Sequence, residues 1–386
     1  MKHGILSIVS RDREGLVAKY TDHLKQWGAN LVAGHGHSLG RMFVFDALFQ
    51  VDDADWAKVA AGVKAGFGDG SAKLFEAGAP VAFRDPKAQH YTLTYIEEDT
   101  VGIVSSLAET LSKHGASIVT LESETLAAPT TGVPVFRVKM ELDVPKSAAV
   151  RSLREEFATI QKYKGWEIDF EPESRSGLHM PATAPYPPSA GATSARPGGA
   201  PADSPFADPP KWAVLSTISA DKPGIVAGCS KFLAAHRANI HSQASRRVGD
   251  SFAAHDLFRA ADEDMAAIRA AFTTELADFQ PSLIEAVKPT APGDELHLEL
   301  TVHAMDEPGI LAALTAPITQ FGASIASLSF GVYPGPGVGG TPLFVVEAGL
   351  LVRDFVASRH IEAELLKLEK DRCWEIDYRP VKKQAS

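Results

Sequence analysis

Cysteine is nearly absent from the chain: there are two in 386 residues, Cys229 and Cys373. Neither sits in a C-x-x-C or another metal-ligand spacing, which excludes a disulfide framework and a cysteine-based zinc cluster. Both are expected as reduced thiols in the core. Positive charge is also in deficit, with 38 Lys and Arg against 48 Asp and Glu and a net charge of −10. That balance argues against a general nucleic-acid footprint, and no direct nucleic-acid partner is expected. The densest basic string, "SRR" (245–247), reads as a solvated strand edge. No window approaches about 18 uninterrupted apolar residues, so no membrane span is expected. The opening "MKHGILSIVSRDREG" lacks the apolar core and small-residue cleavage site of a signal peptide, so a cytoplasmic location is expected. Neither G-x-S-x-G nor H-E-x-x-H occurs in the structural context its chemistry needs. No stretch is long enough for a separate catalytic domain. The expectation is a non-enzyme without cofactor or metal.

What is present is ordinary globular material, 45% hydrophobic and 22% charged. At roughly 100–200 residues per domain, the length suggests two to four domains. Residues 174–210 interrupt this composition. Nine of the 37 are Pro, eight are Ala, four are charged, and no helical or strand period is visible. Such a stretch buries too little apolar surface to offset its ordering entropy, and it reads as a partly polyproline-like tether. The halves on either side are copies. "GWEIDFEP" (165–172) recurs 208 residues later as "CWEIDYRP" (373–380). Two other landmarks recur at offsets of 207 and 209, which points to a tandem duplication.

Each half is itself doubled. An alternating apolar strand leads into D-x-x-G and then an amphipathic helix at four places: "VSRDREGLV" (9–17), "IEEDTVGIV" (96–104), "ISADKPGIV" (218–226) and "HAMDEPGIL" (303–311). Leu16, Tyr20, Leu24 and Trp27 recur at helical spacing, as do Ile103, Leu107, Leu111 and His114. "GANL" (28–31), "GASI" (115–118), "RANI" (237–240) or "GASI" (322–325) follows. Gly28, Gly115 and Gly322 fit a left-handed helix C-cap, whereas Arg237 predicts a more strained or differently shaped end. Two strands, a second helix and a last strand complete the pattern, at 30–38, 42–51, 54–67 and 73–83 in the first repeat and at 117–127, 133–143, 146–162 and 166–171 in the second. The order β-α-β-β-α-β is the split βαβ sandwich. One such unit is small for an independent core, so side-by-side pairing is expected.

A ferredoxin-like unit with a first strand, D-x-x-G-[ILV], a helix and G-A-[NS]-[IL] resembles the ACT domain, a small-molecule-sensing module. The proline-containing phrases "TTGVPVFRVKMEL" (130–142) and "VGGTPLFVVEAGL" (338–350) make the paired arrangement similar to the glycine cleavage system transcriptional repressor family. The resemblance covers nearly all of the chain outside the tether, with four units where two are familiar. The expected fold class is α+β: four ferredoxin-like, ACT-like units as two tandem pairs. Their bounds are 1–87, 88–173, 211–290 and 291–386, with the linker at 174–210. The resemblance implies a regulatory ligand site at unit interfaces, taking an amino acid such as glycine or serine. It falls on the loops from Asp12 to Gly15 and Leu16, Asp99 to Gly102 and Ile103, Asp221 to Gly224 and Ile225, and Asp306 to Gly309 and Ile310. The residues opening the second strands, Asn30, Ser117, Asn239 and Ser324, supply the second contact. It further implies a protein partner, a role in transcriptional regulation of amino-acid metabolism, and a possible homodimer.

The chemistry of such a loop is plausible on its own terms. A helix N-terminus offers unpaired N–H groups and a positive dipole end to a carboxylate, while Asp suits an ammonium. The competing reading is that Asp merely caps the helix. Pro223 and Pro308 at the first helical position would move the cap to Lys222 and Glu307 and free Asp221 and Asp306. Asn30 and Asn239 suit either a ligand contact or a turn. The Asp/Asn repeats, the first and third, are expected to carry the better sites, and Asp221 with Asn239 beside it is the sharpest candidate. His35 and His37 share a strand face and suit either a metal or ordinary polar positions. The loops 128–134 and 334–342 read as flexible connections. Three rival functions stand beside sensing: an interaction scaffold with vestigial sites, an enzyme at a unit interface, and a DNA binder.

Overall fold

The computed structural model of the chain describes residues 1–67, 72–81, 83–127, 134–145, 148–173, 210–289, 295–333 and 342–381. The order β-α-β-β-α-β runs through it four times. The first repeat is β1 (Lys2–Arg11), α1 (Leu16–Gln26), β2 (Asn30–Leu39), β3 (Met42–Val51), α2 (Trp56–Gly66) and β4 (Ala72–Ala77). The second is β5 (Gln89–Glu98), α3 (Ile103–Lys113), β6 (Ser117–Ala127), β7 (Pro134–Val144), α4 (Ala148–Lys164) and β8 (Glu167–Pro172). The third is β9 (Lys211–Ala220), α5 (Ile225–Ala235), β10 (Asn239–Val248), β11 (Ser251–Ala260), α6 (Asp262–Glu275), a short 3-10 turn and β12 (Ser282–Ala286). The fourth is β13 (Leu296–Met305), α7 (Ile310–Gln320), β14 (Ser324–Tyr333), β15 (Leu343–Val352), α8 (Phe355–Arg372) and β16 (Glu375–Pro380). The tether through 209 and the connections at 128–133 and 334–341 lie outside the described residues.

These elements form two eight-stranded antiparallel sheets, ordered β16-β13-β15-β14-β2-β3-β1-β4 and β12-β9-β11-β10-β6-β7-β5-β8. Each sheet belongs to its own compact unit. The expected tandem pairing is therefore corrected. The first repeat shares a sheet with the fourth (the terminal unit), and the second shares one with the third (the central unit). Duplication offsets report common ancestry of segments, not which segments lie side by side.

In both sheets the join is made by the second strands of the two repeats, and its register is symmetric. In the central unit Ser242 faces Glu124 and Arg246 faces Thr120; in the terminal unit Ser327 faces His37 and Gly331 faces Ala33. All four second strands carry a register shift at one equivalent place, between Leu31 and Ala33, Ile118 and Thr120, Ile240 and Ser242, and Ile325 and Ser327. A bulge bends a strand and re-aims its end, here the end carrying the predicted second contact.

Each unit has one core shared by its two repeats. Alternate residues of β3, Phe43, Phe45, Ala47, Phe49 and Val51, are buried with Leu16, Tyr20 and Leu24 of α1 and with Ile310, Leu314 and Ile318 of α7. In the central unit Ile103, Leu107 and Leu111 of α3 meet Ile225, Phe232 and Leu233 of α5 in the same way. Trp27 and His114, at the ends of the predicted helical series, are C-caps instead. The glycines that follow take φ of 78°, 67° and 68°, and Arg237 takes 55°. All four helices close on the same 3.0 Å backbone bond, from Ala29, Ala116, Ala238 and Ala323. The third end thus has the common shape, held by a residue for which the left-handed region is strained. Its Nε donates to Asp264 at 3.0 Å. Of the cysteines, Cys229 is buried as expected, but Cys373 is exposed, at the left-handed C-cap of α8. Among the described residues, no helix is long and apolar enough to cross a membrane.

Candidate functional site

The four D-x-x-G loops have one geometry. The glycine, not the aspartate, is the N-cap: Gly15, Gly102, Gly224 and Gly309 have φ of 80°, 93°, 100° and 98°, and none of the four helices has a side-chain cap. The left-handed backbone explains the glycine, since a Cβ there is strained. Pro223 and Pro308 therefore precede the cap, which corrects the expectation that they begin the helix. The aspartates lie three residues before the cap and do not perform the capping role. Asp354 shows what capping looks like in this chain, accepting from the Ala357 N–H at 2.8 Å. The first turns of α1, α3, α5 and α7 carry no acidic residue, so nothing of the helix's own offsets their positive ends.

The symmetric sheet join brings each loop against the paired repeat. The Asp12 loop lies beside Thr319 and Ser324, the Asp99 loop beside Ala234 and Asn239, and the Asp221 loop beside Ser112 and Ile118. These three recesses are narrow and open to solvent. At the fourth loop, a Cβ on Gly309 would stand 2.6 Å from Lys25 Nζ, so that ammonium overhangs the start of α7. Each loop is thus set against the start of the second strand of the paired repeat, not against that of its own.

This exchange reassigns the Asp–Asn combinations. Asn30 Nδ2 donates to Asp306 Oδ2 at 3.4 Å in the terminal unit, and Asn239 Nδ2 donates to Asp99 Oδ2 at 3.1 Å in the central unit. The loops of the second and fourth repeats carry the Asp–Asn pairs; those of the first and third face Ser324 and Ser117. Asn239 therefore serves Asp99 and not Asp221. In both Asp–Asn pairs the other carboxylate oxygen, Oδ1, is buried without a hydrogen-bond partner. Burial raises the pKa of both carboxyls, opposed in each case by the Asn donor.

A further position escaped the sequence reading. Twenty-six residues after the aspartate, near the end of the second strand, stands a side chain that holds it: Ser38 Oγ donates to Asp12 at 2.8 Å, Thr125 Oγ1 to Asp99 at 3.2 Å, and Arg247 Nε to Asp221 at 2.6 Å. The fourth repeat has Val332 there. The constant spacing was available once the four motifs were aligned. Gly36–Gly40 fits the string G-x-S-x-G, but it runs from β2 into a hairpin, and Ser38 is the anchor of Asp12. His35 faces Asp46 across the ladder, with Nε2 3.4 Å from Oδ2.

Arg247 is buried, which corrects its reading as a solvated edge residue. Its Nη1 donates to Asp143 Oδ2 at 2.8 Å and to the Phe83 carbonyl at 3.0 Å, and its Nη2 donates to Ser117 Oγ at 3.0 Å. Asp143 also accepts from the Asp85 N–H at 2.9 Å and from Arg84 Nη1 at 3.3 Å, and lies 2.9 Å from His90 Nδ1. Burial raises the Asp143 carboxyl, yet these donors hold it below its ordinary value. Burial also raises Asp221, opposed by Arg247.

No protein-family profile matches the chain, and no curated protein matches it in sequence. Among solved structures it is similar to an unknown protein from Galdieria sulphuraria, at 25% identity, a TM-score of 0.40, 45% of this chain and 99% of that one. It is also similar to a candidate glycine cleavage system transcriptional repressor, at 13% identity, a TM-score of 0.35, 44% of this chain and 96% of that one. Aspartate kinase from Synechocystis is similar at 12% identity and a TM-score of 0.33, over 95% of this chain and 54% of that one. Likenesses at these TM-scores leave the functional reading to the loops themselves.

Proposed function

We propose that the chain is an amino-acid-sensing regulatory protein of four ACT-like units, bounded as the repeats suggest. It binds a small zwitterion at the paired-repeat loops and signals through a protein partner, with transcriptional regulation of amino-acid metabolism as the favoured setting. The observation that carries this reading is the Asp–Asn pair, present once in each unit, with one buried carboxylate oxygen left over beside an uncapped helix N-terminus. An ammonium donates to that oxygen, and the ligand's carboxylate accepts from the first-turn N–H groups. Ile103, Phe136 and Ile240 line the Asp99 recess with apolar surface, and glycine or serine is the favoured ligand. A ligand gripping the loop of one repeat and the strand opening of the other binds the closed pair more tightly than a loosened one, which is what passes the signal on.

Heat titration of the full chain with each of the twenty amino acids at millimolar concentration tests this. Asp99→Asn and Asp306→Asn each weaken binding at their own loop by roughly 10- to 100-fold, the worth of a charge-assisted hydrogen bond. Absence of heat and of any rise in Tm for every amino acid would sink the proposal. One observation favours the second reading, an interaction scaffold with vestigial sites: the Asp221 carboxylate is already paired within the chain.

A further inference from the structure

We infer that Arg247 is a built-in partner of the Asp221 carboxylate, so that the central unit takes ligand at Asp99 and not at Asp221. The inference rests on the ligand reading of the loops and adds which of them is closed, and by what.

The guanidinium does at this loop what a bound cation would do at the others. Its Nε donates to Asp221 Oδ2 at 2.6 Å, the loop carboxylate. Its Nη2 donates at 3.0 Å to Ser117, the strand-opening residue of the paired repeat. It therefore spans the two halves of the site that a zwitterion would bridge. The side chain is 9% exposed, and both Nη1 donors are used: Nη1 reaches Asp143 at 2.8 Å and the Phe83 carbonyl at 3.0 Å. The segment between β4 and β5 holds it there, because the Asp85 N–H donates to the same Asp143 carboxylate at 2.9 Å. A planar fork with four of its five N–H groups bonded in a buried setting is pre-organised and hard to displace. Asp99 shows the open counterpart in the same unit. The equivalent position holds Thr125, whose hydroxyl reaches one carboxylate oxygen and leaves the other unpartnered. Thr125 and Arg247, each 26 residues after its aspartate, mark the open loop and the paired one, and the strand-opening residues Asn239 and Ser117 differ with them.

The test exchanges these side chains in the full-length protein. Arg247→Thr copies the arrangement at Asp99. In heat titration with glycine it should take one more equivalent per chain than the unaltered protein, and the gain should vanish in Arg247→Thr combined with Asp221→Asn. The reciprocal Thr125→Arg should take one equivalent fewer. Equal glycine stoichiometry in all of these, with glycine bound, overturns the inference. A second arm does not depend on amino-acid sensing: methylguanidinium at low millimolar concentration should raise the Tm of Arg247→Ala and leave that of Arg247→Ala with Asp221→Asn unchanged. If glycine binds none of the proteins but methylguanidinium gives this pattern, the partner role stands and the sensing proposal falls. Equal or absent protection of both variants overturns the partner role.

Discussion

The Asp99 and Asp221 loops lie in one compact unit, share a left-handed glycine cap, and face each other's repeats through a symmetric sheet join. Their chemistry is nevertheless opposite. Asp99 is held by neutral donors, Thr125 and Asn239, and keeps an unpartnered buried oxygen. Asp221 is held by a guanidinium tied into a second carboxylate. Fold therefore fixes where a loop lies, while two side chains remote from it in sequence decide whether it is available. In the terminal unit both loop aspartates accept from neutral donors, Asp306 from Asn30 and Asp12 from Ser38, so the guanidinium contrast belongs to the central unit.

The comparison breaks most visibly at Asp143. Replacing it with Ala removes the acceptor shared by Arg247, Arg84 and the Asp85 N–H and leaves a buried guanidinium short of its partner. A loss of about 3–5 kcal/mol is expected from urea unfolding. The folded carboxyl lies below its ordinary 3.8, so its contribution is present above that pH and is lost as pH falls through the folded value. The acid limb of stability measured against pH should therefore flatten in the variant.

A smaller effect separates the two loop aspartates directly. Asp221→Asn weakens a charge-assisted bond to a buried cation and should cost about 1.5–3 kcal/mol. Burial raises both carboxyls, so the contrast lies in the donors: Asp99 accepts from the neutral Thr125 and Asn239 and leaves no guanidinium behind when it is replaced. Burial holds its carboxyl above 3.8, so any contribution it makes is greatest below that pH and declines as pH rises through the folded value. Asp99→Asn removes that decline, and the variant should unfold in urea at neutral pH no earlier than the unaltered chain. Equal destabilisation by both substitutions would show that the loops do not differ as the geometry says.

The order of elements was legible because strand alternation, D-x-x-G and the helical period recur four times. The first repeat still misled at its end. Its last strand stops at Ala77 and not near 83, ahead of Gly78 and Pro80, the latter lacking an N–H for the ladder. The partnering of the repeats was not legible, because it depends on second strands far apart in sequence pairing edge to edge. That is why Asn239 was assigned to Asp221, its neighbour in sequence, and why the residues at the second-strand ends went unread. Arg247 was hidden by its company. In "SRR" both arginines read as surface charge, yet each is buried, and only its distance from Asp221 marked Arg247 as the counterpart of Ser38 and Thr125.

The finest adjustment to the comparison is at the strand-opening residue. Asn239→Ser gives the Asp99 loop the partner that Asp221 has in Ser117, without adding an arginine. The lost donor reached Asp99 Oδ2 at 3.1 Å, while Thr125 still reaches the same oxygen at 3.2 Å. One hydrogen bond of about 0.5–1.5 kcal/mol is at stake, so glycine affinity at this loop should fall roughly two- to tenfold without being lost. Asn30→Ser should do the same at Asp306, and there the effect is expected at the upper end. Val332 stands where Thr125 does, so nothing at that position takes over. A larger loss at Asp306 than at Asp99 would show that the residue 26 positions on and the residue across the pair share one carboxylate. Equal losses would mean that the two act separately.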